Sequence, residues 1–187
     1  MTAPRILAID AATRLGWAYG PAGQRPRSGT LDCAKPGASR GAVFSGAGRW
    51  VTSFIQANPV DVLAIEAAVA GGKQGQTNAR TAMILNGLPA VIEFMAYQLG
   101  VYDHRRIAVS SVRSHFIGKG NLPGEKAKPL VFAKCQALGW IGKDDADQSF
   151  DRSDALAIWS YAEVAFAPKH AQPVDDLFVR AQARGRA

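Results

Sequence analysis

Four acidic residues stand at positions from which they could act together. Two short apolar segments each end in an acid, Asp10 in one and Glu66 in the other. A third segment opens with Asp151 and Asp154, which share one face if that segment is helical. Clustered carboxylate oxygens suit hard divalent cations such as Mg²⁺ or Mn²⁺. Two such ions about 4 Å apart can activate water and stabilise the leaving oxygen of a phosphodiester, so the pattern favours metal-dependent phosphodiester hydrolysis.

Each acid also has a simpler structural interpretation. Asp10 could cap the turn after its strand, and Glu66 could end a strand that faces solvent. Asp151 and Asp154 could complement the dipole at the start of a helix. The occurrence of all four in one chain favours the metal site.

The surrounding sequence predicts the elements that would hold these acids. Strands are predicted over Arg5–Asp10, Gly16–Tyr19, Ser28–Asp32, Asp61–Glu66 and Ile107–Val109, and helices over Gly41–Ala57, Gln76–Leu99, Ser111–Ile117, Ala127–Leu138 and Asp151–Phe166. Hairpin strands followed by alternating strands and helices predict an α/β domain with a mixed central sheet flanked by helices. In such sheets the carboxyl ends of parallel strands border the ligand crevice, so Asp10 and Glu66 would lie side by side if their strands are neighbours.

Length and composition indicate one domain with a tail. The chain has 187 residues, of which 48% are apolar, and we predict a domain over residues 1–167 and a polar tail over 168–187. No apolar run approaches the roughly 20 residues that span a bilayer, and the first residues do not form a signal peptide. Cys33 and Cys135 make neither a disulfide framework nor a zinc site, and free thiols fit a reducing cytoplasm. We therefore expect a cytoplasmic protein.

The charges are unevenly distributed along the chain. The net charge is +7, and the segment from Arg105 to Lys134 holds seven bases against one acid. The segment from Asp144 to Asp154 instead holds five acids against one base. A basic protein of this kind most often binds nucleic acid. Acids beside a phosphate-binding surface are compatible with that function if divalent cations lie among them; a solvated acidic loop is the alternative.

The order of these motifs resembles that of RuvC Holliday junction resolvases, in the RNase H-like superfamily. The matching segments are ILAID ending at Asp10, GWA at 16–18, LAIE ending at Glu66 and DRSDALAI beginning at Asp151, within residues 5–166. The residues around Asp10 are more similar to phage-encoded members than to the bacterial housekeeping enzyme. The resemblance implies an RNase H-like fold, Mg²⁺-dependent cleavage of four-way DNA junctions, and a homodimer that uses part of the apolar face of helix Gln76–Leu99.

The resemblance also assigns the site residues. The four acids of the family fall on Asp10, Glu66, Asp151 and Asp154, which would hold two Mg²⁺ ions, with Mn²⁺ as a substitute. The family places a lysine after a Gly-x-Gly loop, which here is Gly118–Gly120. Lys128 fits the register of that lysine better than the alternative, Lys126, and would neutralise charge on the reacting phosphate.

Basic side chains around these motifs are the candidate DNA contacts. Many bacterial members carry an aromatic residue three positions after the glutamate, but this chain has Val69, so base stacking there is not expected. Nearby lysine and arginine side chains could contact the DNA backbone instead, or simply be solvated. The candidate phosphate contacts are Lys73, Arg80, Arg105, Arg106, Arg113, Lys119 and Lys126.

Two other functions share some of these sequence features with a nuclease. An actin-like ATPase also begins with a strand, an aspartate and a turn, but it needs a second similar domain, for which 187 residues leave no room. A non-catalytic scaffold that binds junctions or serves recombination would not require Asp10, Glu66 and Asp154 to be intact. We therefore predict a metal-dependent, structure-selective endonuclease that cleaves Holliday junctions or related branched DNA.

Overall fold

The strands form one mixed sheet. The structure is a computed structural model that describes residues 2–67, 79–145, 147 and 149–171. Its strands are β1 (Arg5–Asp10), β2 (Arg14–Pro21), β3 (Arg27–Asp32), β4 (Val62–Glu66) and β5 (Asp103–Ile107). They are ordered β3-β2-β1-β4-β5, with β1–β2 and β2–β3 antiparallel and β1–β4 and β4–β5 parallel. The predicted mixed α/β sheet is confirmed.

Five helices cover the sheet in the described part of the chain. They are α1 (Arg40–Ala57), α2 (Ala79–Gln98), α3 (Val109–Ile117), α4 (Gly124–Ala137) and α5 (Asp151–Phe166). The Ser39 hydroxyl caps α1 by accepting the Ala42 amide, and Gly118 ends α3 in the left-handed region at φ 69°. Within the described ranges, no helix is long and apolar enough to cross a membrane.

Alternating side chains of the central strands build a core on each face of the sheet. In β1, Ile6 and Ala8 belong to the core formed with α3, α4 and α5. Leu7 and Ile9 belong to the opposite core, formed with α1 and α2. All four residues are fully buried, as expected for the central strand of a two-sided sheet.

The same alternation places two acids toward α5. Asp10 is two residues after Ala8, and Glu66 is two residues after Ala64, which belongs to the same core as Ala8. Because successive side chains point to opposite faces, both carboxylates lie on the side of the sheet that α3, α4 and α5 cover.

A glycine lets α5 approach the sheet closely. Gly16 on β2 pairs with Asp10 on β1. A Cβ atom at Gly16 would lie 1.9 Å from the Asp151 carbonyl oxygen, far closer than atoms can pack. The first turn of α5 therefore crosses β2 directly beside Asp10.

The predicted strand over Ile107–Val109 is wrong in its bounds. The strand is β5, Asp103–Ile107, and Val109 already begins α3. β5 pairs with β4 at the edge of the sheet, and only Ile107 in it is buried, so it lacks the apolar run from which strands are predicted.

Other predicted bounds differ by a few residues. The structure begins α4 at Gly124 and extends β2 in both directions, while α5 has the bounds predicted for it. Residues 76–78 of the second predicted helix and 172–187 of the predicted tail lie outside the described residues.

Candidate active site

Two of the acids project from the carboxyl ends of adjacent parallel strands. The register of β1 and β4 pairs Ile9 with Ile65. Asp10 and Glu66 are the next residues in the two strands, so they lie side by side as predicted. Both line a small cavity of about 110 Å³ against α5.

The first turn of α5 brings the other two acids to the same place. Asp154 lines the cavity with Asp10 and Glu66. Asp151 is buried at the start of α5 and lies close enough for its charge to act on Asp10. The structure thus gathers the four acids singled out from the sequence.

Burial and mutual repulsion raise the pKa values of these carboxylates. Burial contributes most at Asp10, followed by the charge of Glu66, and the pKa of Asp10 lies well above its usual range. Burial and then the charge of Asp154 raise the pKa of Glu66 to about 7. Burial is also the main cause that raises the pKa of Asp151 and of Asp154. The cluster is therefore short of positive charge, which a divalent cation would supply.

Lys128 of α4 forms an ion pair with the cluster. Its Nζ lies 3.2 Å from Oδ2 of Asp154. Burial opposes the charge on Lys128, but Asp154, followed by Asp10 and Asp151, raises its pKa, so the ammonium is retained. Lys126 is exposed and does not line the cavity, so of the two candidate lysines the structure places Lys128 at the acids.

Arg113 and Arg14 also border the acids. Arg113 lines the cavity. Its charge partly offsets the rise that burial causes in the pKa values of Glu66 and Asp154. Its guanidinium is held by a 2.9 Å hydrogen bond to the Leu122 carbonyl. Arg113 was predicted as a DNA contact, but its place among the acids was not.

Arg14 is a site residue that the sequence analysis missed. Its Nε lies 3.9 Å from Oδ2 of Asp151. The predicted hairpin strand began at Gly16, two residues too late to include Arg14. The signal that could have found it is a base in the turn directly after the first acid.

The other predicted DNA contacts lie elsewhere. Arg105 and Arg106 are on the edge strand β5, where Arg105 pairs with Asp103 at 2.5 Å and Arg106 pairs with Glu93. Lys119 is exposed between α3 and α4. Lys73 and the side chain of Arg80 lie outside the described residues.

Part of the acidic segment shapes the start of α5. Oδ2 of Asp147 accepts the Ser153 amide at 2.8 Å, and the Phe150 carbonyl accepts the Ser153 hydroxyl and the Asp154 amide, both at 2.9 Å. Phe150 itself is left-handed at φ 63°, an unfavourable conformation for a bulky residue. These bonds fix the turn that carries Asp151 and Asp154.

The acids fit a divalent cation by their chemistry. Four carboxylates supply hard oxygen donors, and the lysine ammonium against Asp154 shows that the cluster attracts a cation. In the part of the chain that the structure describes, no group of three or more His, Cys, Asp or Glu side chains is already arranged to hold a metal ion. Side-chain rotations would therefore accompany metal binding.

Comparisons with known proteins place the fold. No protein-family model matches the chain, and no curated protein matches its sequence. Thermus thermophilus RuvC is similar in structure at TM-score 0.62 and 17% identity over 88% of this chain and 96% of that one. The same protein in complex with a Holliday junction substrate gives TM-score 0.64 and 18% identity over 91% and 99%. The yeast mitochondrial Holliday junction resolvase Ydc2 gives TM-score 0.58 and 12% identity over 87% and 78%. The fold is therefore that of RuvC, within the RNase H-like class.

Proposed function

We propose that this protein is a metal-dependent endonuclease that cleaves Holliday junctions or related branched DNA. The observation that carries the proposal is the cluster of Asp10, Glu66, Asp151 and Asp154, with Lys128 against it, at the carboxyl ends of two parallel strands. Two of the structural neighbours support the choice of substrate, since one is RuvC bound to a Holliday junction and another is a Holliday junction resolvase.

The four acids, Asp10, Glu66, Asp151 and Asp154, are the residues that would hold two Mg²⁺ or Mn²⁺ ions. A divalent ion bound there supplies Lewis acidity and lowers the pKa of bound water. Asp151 would bind a metal or orient the attacking water, and Glu66 and Asp154 would complete the set of metal ligands. In the metal-free protein, Glu66 has a pKa of about 7 and can take up a proton near neutral pH.

Two cations of the chain act on the phosphate. Lys128 stays protonated beside Asp154 and offsets charge that builds up on the phosphate oxygens during attack. Arg113, fixed by the Leu122 carbonyl, adds a second positive charge at the same cavity. Hydrolysis should leave 5′-phosphate and 3′-hydroxyl ends, as the resemblance to RuvC resolvases implies.

DNA phosphates away from the cleaved bond contact exposed basic side chains of the protein. Lys119 and Lys126 flank the loop between α3 and α4, close in sequence to the two cavity cations, and both are exposed. Lys73 and Arg80 are proposed for the same role. Arg105 and Arg106 would have to exchange their carboxylate partners for phosphate, so we expect them to contribute less to DNA binding.

A homodimer would supply the paired sites that a two-fold symmetric junction requires. The outward side of α2 exposes Met83, Ala90, Phe94 and Tyr97, at spacings of seven, four and three residues, which fall on one face of a helix. Phe94 is 61% exposed and Tyr97 is 57% exposed, although both are large and apolar or aromatic. This face is the proposed contact between two copies, and sedimentation should give about twice 19.9 kDa.

The organisation and location of the chain are proposed from two further observations. Helix α5 ends at Phe166, which supports a domain over residues 1–167 and a tail after it. Cys33 and Cys135 are buried free thiols, which supports the reducing cytoplasm as the location.

The test is cleavage of a labelled four-way junction. The wild type should cleave in Mg²⁺ and not in EDTA, and in Ca²⁺ it should bind the junction with little cleavage because calcium holds its ligands more loosely. Asp154→Asn should abolish cleavage while binding persists, and the exposed Asp144→Asn is the charge-matched control that should cleave normally. Binding without cleavage by the wild type in Mg²⁺ and Mn²⁺ would identify a scaffold instead.

A further inference from the structure

A second, larger cavity is lined by Arg14, which also borders the acid cluster. It measures about 850 Å³ and opens between the β1–β2 turn and the β3–α1 loop. Thr13 and Arg14 line one side, residues 35–38 line the other, and Val43 and Ile84 are its buried members. This volume is within the range of ligand sites in proteins.

Arg14 belongs to both this cavity and the acid cluster. Its Nε is 3.9 Å from Asp151, while Nη2 donates to the Thr30 hydroxyl at 3.3 Å. About half of the Arg14 side chain is exposed, so it retains donors for a further partner. A ligand that touches Arg14 in the cavity therefore contacts a side chain that also borders Asp151.

Positive charge predominates around the cavity. Lys35 is exposed on the wall that faces Arg14, and Asp32 is the acid among the lining residues. The cavity wall runs through Ala38 into the first turn of α1, which holds Arg40 and no acid. Acids usually complement the positive end of a helix dipole, so this end of α1 adds to the attraction for an anion.

We infer that this cavity binds the DNA strand beside the cleaved bond, with a backbone phosphate on Arg14 and Lys35 and the attached nucleoside against Val43 and Ile84. The inference rests on the proposed function for its substrate. Cations at the rim with buried apolar residues behind them match the two chemical parts of a nucleotide. The shared position of Arg14 explains how the strand would be guided from the cavity to the acids.

The first test measures binding without cleavage. In Ca²⁺, the affinity for a labelled four-way junction is measured against salt for Arg14→Ala/Lys35→Ala. The control is Arg25→Ala/Lys169→Ala, which removes the same charge from exposed positions at the other end of the sheet. The cavity variant should lower the log–log salt slope by about 0.9, the value for the one phosphate contact that it loses, and the control should change it little. Equal slopes for the two variants would overturn the inference.

The second test reads occupancy of the cavity directly. Pro36→Cys places a thiol on the exposed wall and keeps both cations, while Cys33 and Cys135 are buried and contribute little background. Saturating junction should slow maleimide alkylation of this thiol by about tenfold, as occupancy above about 90% requires. Lys169→Cys, far from the cavity, should be alkylated at an unchanged rate.

The two proposals can fail separately. If the wild type does not cleave but the thiol at position 36 is protected, the proposed nuclease is wrong and the inferred DNA site stands. If the wild type cleaves and the thiol reacts equally with and without junction, the inferred site is wrong. Protection by thymidine monophosphate alone, without protection by junction, would also overturn it, because the cavity would then bind free nucleotides.

Discussion

The strand pair β1 and β4 begins and ends with charged residues in opposite situations. At its start, Arg5 and Asp61 form an ion pair with Nε 2.9 Å from Oδ2, and the hydrogen bond from Arg5 lowers the pKa of Asp61. At its end, Asp10 and Glu66 repel each other in a recess that raises both pKa values. The charges at the start are satisfied within the fold. The charges at the end require a partner from outside it, so only the end is built for chemistry.

The largest effect should come from removing one acid at each end in turn. Asp10→Asn should lower junction cleavage by about 10²-fold or more, the order expected when a charge-stabilising group leaves an active site, with junction binding retained. Asp61→Asn should leave cleavage in place and lower stability instead, because it breaks the pair with Arg5. Single-turnover cleavage and chemical denaturation measure the two properties. Cleavage by Asp10→Asn at the wild-type rate would contradict the catalytic role of this end of the strands.

Gly16→Ala should disturb the acid end, the end of β1 and β4 that carries Asp10 and Glu66, by moving the backbone of α5. The added methyl group would lie 1.9 Å from the Asp151 carbonyl, so the first turn of α5 must move away from β2. We expect a loss of about 1–3 kcal/mol in the free energy of unfolding, together with weaker cleavage. Gly41→Ala in α1 meets only the Ser39 hydroxyl, at 3.9 Å, and is the control. Urea denaturation of both variants checks this. If Gly16→Ala were as stable as Gly41→Ala, α5 would not lie where the structure places it.

The two ends should respond to pH in opposite directions. Glu66 binds a proton more tightly in the folded protein, with a pKa of about 7 against an ordinary value of 4.5. Its contribution to stability is thus present below pH 4.5 and is lost as the pH rises toward 7. Asp61 has a lowered pKa, so its contribution is present at neutral pH and is lost in acid.

Thermal melting in EDTA measures this difference. From pH 5 to pH 8 the melting temperature should fall by a few degrees, and Glu66→Gln should flatten that fall. Asp61→Asn should leave it in place, because Asp61 titrates below this window. A melting temperature that rises over the same interval would contradict the raised pKa values at the acid end.

The smallest effect is the direct stabilisation of the metal-free protein. At pH 8, Glu66→Gln removes one repulsive charge and leaves no cavity, so it should raise the melting temperature by a few degrees for roughly 1 kcal/mol. Millimolar Mg²⁺ should stabilise the wild type and should stabilise Glu66→Gln less, since its site is incomplete. If the variant melts lower in EDTA and both proteins gain equally from metal, the acids are structural caps.

Much of the acid end could be predicted because local patterns determine it. Apolar runs that end in Asp10 and Glu66 identify central strands, and the two-residue period then fixes the face of each carboxylate. The bounds of α5 follow from its apolar spacing and its two leading acids. These features depend on residues that are close in sequence.

The missed features depend on tertiary contacts instead. β5 is a polar edge strand that only its pairing with β4 defines. Arg14 and Arg113 are separated by about a hundred residues, and no local pattern indicates that both face the same acids. Asp147 was included in an acidic segment, and its function as a cap of α5 depends on its bond to the Ser153 amide.

The left-handed Phe150 has a consequence for motion. It is the one non-glycine residue with positive φ among the described residues, and it directly precedes Asp151. Such a conformation costs about 1–3 kcal/mol, which the bonds of the following turn must offset. Opening of that turn relieves the cost and releases Asp151 and Asp154 together, while the rest of α5 stays packed in the core. Amide hydrogens of Ser153 and Asp154 should therefore exchange faster than those of Ile158 and Trp159. Metal binding should slow the exchange at Ser153 and Asp154, because it would order Asp151 and Asp154, two of the four proposed ligands.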